Sequence, residues 1–229
     1  MSHSRAESST DDLREVWTIV VAGGSGLRFG SRKQFAEIHG RTVLQHSVDT
    51  AARSSKGVVV VVPEDSVEST TIEPVDADVS IVAGGATRAA SVRAGLSAVS
   101  DTASVVLVHD AARPLASTEV FDRVAGAVAS GAKAVVPAIE VSDTIRHKDG
   151  GVVDRSELLA VQTPQGFDIG TLRRAHASND DATDDATLVE ALGHEVVIVE
   201  GDAVNQKLTQ PTDLLVAESI LKNLAGKNQ

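Results

Sequence analysis

Two cations close a glycine-rich loop near the start of the chain: Ala22-Gly23-Gly24-Ser25-Gly26-Leu27-Arg28, with Lys33 further on. Glycines let a backbone turn sharply and bring its N–H groups close to a ligand, where successive N–H groups form a concavity for anions. A loop that offers N–H donors, an arginine and a lysine suits a polyphosphate. Its spacing fits neither of the two commonest phosphate loops. A Walker loop ends in Gly-Lys-Ser/Thr, and this loop has no such ending. A dinucleotide fingerprint reads G-x-G-x-x-G, whereas Gly24-x-Gly26 is followed by Gly30, one residue too far. It also lacks an acidic residue about 20 positions on at a strand end. Standing alone, the loop is equally well read as a strand-to-helix turn with surface cations.

The elements that must position these residues alternate. The apolar run Ile19-Val20-Val21 empties into the loop and reads as a buried parallel strand. Hydrophobic patterning predicts strands at about 16–21, 57–62, 79–82, 105–109, 134–137 and 195–199. Between and after them, helices are predicted near 42–53, 89–99, 118–130, 168–177 and 211–224, roughly bounded, with Pro211 in the first turn of the last. Strand-helix alternation implies an α/β, Rossmann-like layer structure with a mostly parallel sheet flanked by helices. In open sheets of that kind ligands sit at the carboxyl ends of the strands. The third strand is followed by Gly84-Gly85-Ala86-Thr87-Arg88-Ala89-Ala90-Ser91, and the fourth by His109-Asp110-Ala111-Ala112-Arg113-Pro114. Two glycine-paired loops with cations, plus an aspartate on a strand end, describe a nucleotide site with a metal ligand. Mg²⁺ is typically held by one or two carboxylates together with substrate phosphates.

Composition narrows the functions further. The net charge of −11 argues against a nucleic-acid partner, which needs a basic face. Any phosphate must then be held by a few local cations. With 229 residues and only 2% aromatics, one sizeable core must be built from Val, Ala, Leu and Ile. Valine runs such as Val58-Val59-Val60-Val61-Val62 fit strands buried on both faces. There is no cysteine, which excludes thiol chemistry and fits a reducing cytoplasm. No apolar stretch approaches the roughly 20 residues of a membrane span, and the N-terminus lacks a secretory h-region. Residues 1–14 read as a disordered polar tail, and 15–229 as a single domain.

One segment breaks the alternation. Between Glu140 and Val161 the chain carries few apolar residues around Asp149-Gly150, a strong hairpin-turn signal. A two-stranded hairpin is marginal alone, so this arm is expected to pack on a second subunit. Asp180-Asp181-Ala182-Thr183-Asp184-Asp185 has the look of a metal site, but acidic residues ahead of a helix are more often caps and dipole partners. Thr183 is the expected N-cap, for a helix beginning at Asp184.

Several motifs now converge. Val-His109-Asp110-Ala-Ala-Arg113-Pro, Val141-Ser-Asp-Thr144-Ile, Gln162-Thr163-Pro164-Gln165-Gly-Phe, Thr183-Asp184-Asp-Ala and Asn205-Gln-Lys207-Leu-Thr-Gln-Pro-Thr-Asp213-Leu resemble the 2-C-methyl-D-erythritol 4-phosphate cytidylyltransferase family of the non-mevalonate isoprenoid pathway. The resemblance covers essentially residues 16–224, with its motifs in family order. It implies a nucleotide-diphospho-sugar transferase type of fold with a protruding β-arm at about 140–157. It implies a reaction in which the phosphate of methylerythritol phosphate attacks the α-phosphorus of CTP and pyrophosphate leaves.

The same resemblance implies roles. Arg28 and Lys33 match the catalytic cations that stabilise the pentavalent phosphorus and the leaving pyrophosphate. Asp110 matches the ligand of Mg²⁺. Ala22, Gly23, Gly24, Gly26, Gly85 and Ser91 match the nucleotide-binding positions, with Arg88 beside them. Thr144 and Arg155 match arm residues that reach methylerythritol phosphate in the neighbouring subunit of a homodimer, while Thr163, Thr183, Lys207 and Arg113 complete the substrate wall. His109 is expected to be structural, because a phosphate nucleophile is already anionic. Two departures stand out: Arg32 replaces the family's usual proline, and Ala86 its common aspartate.

Other functions fit less of the chain. Ribitol-5-phosphate cytidylyltransferase shares the scaffold, but His-Asp-Ala-Ala-Arg-Pro favours the isoprenoid enzyme. A glycosyltransferase would need its Asp-x-Asp after a strand, whereas Asp76-Ala-Asp78 precedes one. A nucleotide-binding regulator without turnover has no use for Arg28, Lys33, Asp110 and Lys207 together.

Overall fold

A computed structural model of the chain describes residues 16–23, 32–177 and 184–227. The expected tail, Gly24, Gly26, Arg28 and Thr183 lie outside the described residues. The first strand, β1 (Val16–Val21), runs at the centre of the main sheet. It is followed by a short hairpin of β2 (Glu37–Ile38) and β3 (Arg41–Thr42), then α1 (Val43–Arg53), β4 (Gly57–Val62) and β5 (Asp78–Ala83). Next come α2 (Arg88–Ala98), β6 (Val105–Asp110), α3 (Thr118–Ala129) and β7 (Ala134–Glu140). The remainder is β8 (Leu159–Val161), β9 (Gln165–Asp168), α4 (Ile169–Ala175), α5 (Asp185–Ala191), β10 (Val196–Glu200) and α6 (Thr212–Lys227).

The main sheet has the order β10-β7-β9-β6-β1-β4-β5, with β8 paired to β7. The pairs β1–β4, β4–β5, β1–β6 and β7–β10 are parallel, and β9 is antiparallel to both neighbours. The sheet is thus mostly parallel, as patterning predicts, but β9 is wedged between β6 and β7. From β1 the chain first builds outward to β4 and β5, then returns to lay β6 on the other side of β1. That reversal opens a crevice at the carboxyl ends of the strands.

Burial explains the strand composition. All five valines of β4 are completely buried, and each contributes about 1.5–3 kcal/mol of apolar burial. On one face Val58, Val60 and Val62 share with Leu44 and Val48 of α1 a cluster that continues across the sheet to Phe121 and Val124 of α3. On the other, Val59 and Val61 share with Val92 and Leu96 of α2 a cluster that continues across the sheet to Leu172 of α4 and Val189 of α5. A third cluster joins Ile38, Val43, Leu115, Leu208 and Ala217, seating α6 and the strap before it.

Four local expectations need correction. The N-cap of α5 is Asp184, which accepts from the Thr187 N–H at 2.8 Å. Pro211 stands immediately before α6 rather than in its first turn. The arm is not a ladder of two strands: one bridge, Arg146 with Val152, closes the turn at Gly150 and Gly151. Its returning limb instead becomes β8, which pairs with β7. The β2–β3 hairpin, absent from the patterning, turns on His39 and Gly40, both at positive φ, as a two-residue turn of the primed kind needs.

Candidate active site

A cleft of about 330 Å³ opens at the switch point, among the ends of β1, β5 and β6. Of the expected site residues, Ala22, Gly23, Lys33, Gly85, Arg88, Ser91, Asp110 and Lys207 all line it. They come from five separate stretches of chain. Lys33 opens a short 3-10 turn, Lys33–Phe35, and donates from Nζ to the Leu208 carbonyl at 2.7 Å. Its neighbour Arg32 turns away, to Asp65 at 2.7 and 2.5 Å and to Ser66. Beside Lys33, Gln34 is buried and donates to the Ala22 carbonyl at 2.9 Å, tying the turn to the end of β1.

The wall after β5 is built by close approach. A Cβ on Gly85 would stand 2.4 Å from that of Ala90 and 3.2 Å from its carbonyl carbon, so only glycine fits there. The backbone then folds back on Ser91, whose hydroxyl donates to the Thr87 carbonyl at 2.9 Å and accepts from the Gly85 N–H at 3.2 Å. Thr87 caps α2 by accepting from the Ala90 N–H. The N-terminus of an eleven-residue helix therefore faces the cleft, with its partial positive charge and unpaired N–H groups.

Asp110 is the last residue of β6 and stands between two cations. Its Oδ2 is 2.6 Å from Lys207 Nζ, and its Oδ1 is 3.6 Å from Arg88 Nε. Burial alone would raise its pKa; Lys207 and Arg88 outweigh burial and hold the carboxyl down to about 2. Behind it, Thr163 accepts from the Asp110 N–H at 3.0 Å and lies 3.1 Å from His109 Nδ1. His109 is fully buried against Phe121, and its Nε2 is 3.2 Å from the Arg113 carbonyl. Burial pushes its pKa down to about 4, so the ring is a neutral strut beneath Asp110 rather than a proton carrier.

Three groups of expected substrate contacts lie elsewhere. Thr163 is buried behind Asp110, with its hydroxyl engaged there. Arg113 donates to the carbonyls of Asn205 at 2.8 Å and Val161 at 3.4 Å, so it braces the wall from behind. Thr144 and Arg155 line a separate groove on the arm with Val152, Val153 and Asp154, and no residue of that groove belongs to the cleft. Within the chain, Arg155 donates to the Ser142 carbonyl.

Motif spelling alone did not assign the residues that place Lys207. Gln162 donates to the Asp202 carbonyl at 2.8 Å and accepts from its N–H at 3.0 Å. Asn205, fully buried, donates to the Thr163 carbonyl at 2.9 Å, and Leu208 N–H donates to the Ala112 carbonyl. Asp213 then accepts from the N–H groups of Thr209 and Gln210 at 2.6 and 2.8 Å. The strap carrying Lys207 is thus pinned at both ends. All of these but Asp202 stand inside the motifs, but a motif does not say what its members bind.

One carboxylate in a cationic cleft bears on metal binding. Among the described residues no group of three acidic or histidine side chains gathers around a point. A single carboxylate still suits a hard ion that takes most of its oxygens from a triphosphate and water. Asp110 meets that requirement, and Lys207 and Arg88 hold it ionised.

Comparison with known proteins agrees with this geometry. The sequence profile described as 2-C-methyl-D-erythritol 4-phosphate cytidylyltransferase matches residues 16–223. A protein of that name from Rhodococcus jostii (strain RHA1) is 46% identical over 223 residues, covering 93% of this chain and 97% of the other. One from Nocardia farcinica (strain IFM 10152) is 42% identical over 229 residues, covering 96% and 99%. The crystal structure of 2-C-methyl-D-erythritol 4-phosphate cytidylyltransferase from Thermus thermophilus superposes with a TM-score of 0.76 at 38% identity, over 91% of this chain and 99% of that one. With its sequence and its fold in agreement over most of its length, the chain belongs to the 2-C-methyl-D-erythritol 4-phosphate cytidylyltransferase family.

Proposed function

We infer that the cleft joins CTP to 2-C-methyl-D-erythritol 4-phosphate, giving 4-diphosphocytidyl-2-C-methyl-D-erythritol and pyrophosphate. The observation that carries this reading is Asp110 held between Arg88 and Lys207 beside the N-terminus of α2, with Lys33 lining the same cleft. A triphosphate entering this cleft meets helix N–H groups at one wall and side-chain cations at the other. The substrate phosphate, already anionic, needs no general base and attacks the α-phosphorus in line. Lys33, together with Arg28, carries the charge that grows on the pentavalent phosphorus and the departing pyrophosphate. Transfers of this kind are accelerated mainly by positioning and charge stabilisation.

Mg²⁺ is the cofactor this reading calls for, with Asp110 as its protein ligand; when bound it would neutralise and orient the triphosphate. Lys207, which shares that carboxylate, would then be free to contact substrate phosphate.

The exposed arm supports a homodimer. Every residue from Val141 to Val161 has some exposure, none is buried, and Val152, Leu159 and Val161 present apolar side chains. A segment this open needs another surface, and in a two-fold dimer Thr144 and Arg155 of each arm would complete the other subunit's cleft. The reading of 15–229 as one domain is supported by the single main sheet whose strand ends lead into the cleft. The cysteine-free sequence and a nucleotide triphosphate substrate support a cytoplasmic location; no described helix is long and apolar enough to cross a membrane.

The experiment is pyrophosphate release with CTP against UTP, with methylerythritol phosphate, ribitol 5-phosphate or no acceptor. Release is expected only with CTP and methylerythritol phosphate. Equal release with ribitol 5-phosphate, or CTP binding with no release, would overturn the reading.

A further inference from the structure

Arg88 occupies the first position of α2, where the positive end of the helix dipole disfavours a cation. Two carboxylates keep it there. Asp110 approaches Nε from the cleft side at 3.6 Å, and Asp185 Oδ2 binds Nη1 at 2.6 Å. Asp185 is not part of the cleft wall. It stands at the start of α5, is 1% exposed, and uses its other oxygen to accept from His176 Nε2 at 2.9 Å. His176, at the end of α4, is itself buried. The groups form a line, His176–Asp185–Arg88–Asp110–Lys207, running from the back of the domain into the cleft.

A bland role is open to Asp185, since an acidic residue in a helix's first turn favours the dipole. Its burial speaks against that role alone. A dipole partner works well in solvent, and α5 already has a cap in Asp184. An ionised carboxylate taken out of water is costly unless its oxygens are bound, and here each oxygen meets a donor from a different element. Arginine's planar fork gains directional hold from such contacts, because fixing two of its nitrogens fixes the plane of the third.

We propose that Asp185, itself oriented by His176, is a positioning residue that clamps the Arg88 guanidinium in the plane required to meet the nucleotide. The proposal rests on the cleft being the CTP site. It assigns to the Asp185-Ala motif a task two steps behind the ligand, and makes the α4–α5 layer a determinant of CTP affinity.

The test is a double-mutant cycle on the full chain, reading the dissociation constant for CTP by calorimetry and KM and kcat by pyrophosphate release. Asp185→Asn is expected to raise both constants for CTP about tenfold or more with a smaller change in kcat. In an Arg88→Met background the same substitution is expected to change them less than about twofold. His176→Gln, whose amide nitrogen can replace Nε2, is expected to keep affinity that His176→Leu loses. Equal factors in both Arg88 backgrounds, or loss of thermal stability without loss of CTP affinity, would overturn the clamp. Should Asp185→Asn not fold, His176→Leu with Arg88→Met closes an equivalent cycle. A wild-type chain that binds CTP yet shows no coupling sinks this proposal only; one that binds no CTP removes the functional reading and the clamp with it.

Discussion

The cleft and the arm are built by opposite means. In the cleft, each charged side chain has a partner from a distant stretch: Lys33 with Leu208, Asp110 with Lys207, Arg88 with Asp185. The supporting groups Thr163, His109 and Asn205 are buried. In the arm, no residue from Val141 to Val161 is buried, and contacts such as Arg155 to Ser142 are local. A preorganised site acts on charge without rearranging, which is what electrostatic catalysis requires. A segment with so little of its own packing takes its final shape from whatever it meets. The difference is one of support: the cleft holds its geometry within one chain, while the arm's polar groups lie open, where the proposed second subunit would meet them.

The largest effect should come from the most constrained group. Asp110→Asn is expected to lower kcat by about 10³, and raising Mg²⁺ should restore little, since a neutral amide is a poor ligand for a hard ion and leaves Lys207 unpaired. Near-normal turnover in that variant would remove Asp110 from the metal role.

Next come the loop cations. Lys33→Ala and Arg28→Ala are expected to cost about 10² in kcat, with a lesser rise in KM for methylerythritol phosphate. Arg32→Ala should stay within about twofold, because Arg32 is spent on an exposed pair with Asp65 and such pairs are worth little. Steady-state kinetics on the three variants checks this; a crippled Arg32→Ala beside an active Lys33→Ala would reverse the assignment.

The arm offers the sharpest contrast. Inactive Arg155→Ala and inactive Lys207→Ala chains, mixed through a dissociating step, should recover roughly a quarter of wild-type activity, as one site in each mixed dimer holds both native residues. Verified heterodimers without recovery would return both residues to one chain, and the difference between the regions would lose its functional meaning.

The smallest effect concerns the strap that holds Lys207. The Thr209 and Gln210 N–H groups hold the Asp213 carboxyl below its ordinary range. Its contribution to stability is therefore present above the unfolded carboxylate pKa, near ~3.9, and is lost as pH falls through the lower folded value. Urea denaturation should find Asp213→Ala less stable than wild type at neutral pH, with the gap closing in acid. A gap independent of pH would mean that the carboxylate's charge plays no part.

Much of the cleft was legible in the order of residues alone. Strands β1, β4 and β6 are predominantly apolar runs because both faces are covered, and the residues at the ends of β1, β5 and β6 are those that line the site. Other features lay beyond reading. The antiparallel β9 is four residues long and carries Gly166, whose lack of a side chain lets Val124 and Val128 pack on it; no period announces such a strand. The two-residue strands β2 and β3 are shorter still.

What the sequence determined by itself is which chemistry is available: a glycine-rich loop with cations, one aspartate on a strand end, a lysine on a late strap, and an α/β alternation that sends them to the same end of a sheet. Only the tertiary structure decided which groups point inward. Arg32 and Lys33 are neighbours of the same charge, and the difference between them is that Asp65 stands on one side and the Leu208 carbonyl on the other. Thr163 and Asp185 have the composition of ligands, yet one is buried behind Asp110 and the other behind Arg88. The direction of a side chain depends on partners many residues away, and local residue preference carries no record of them.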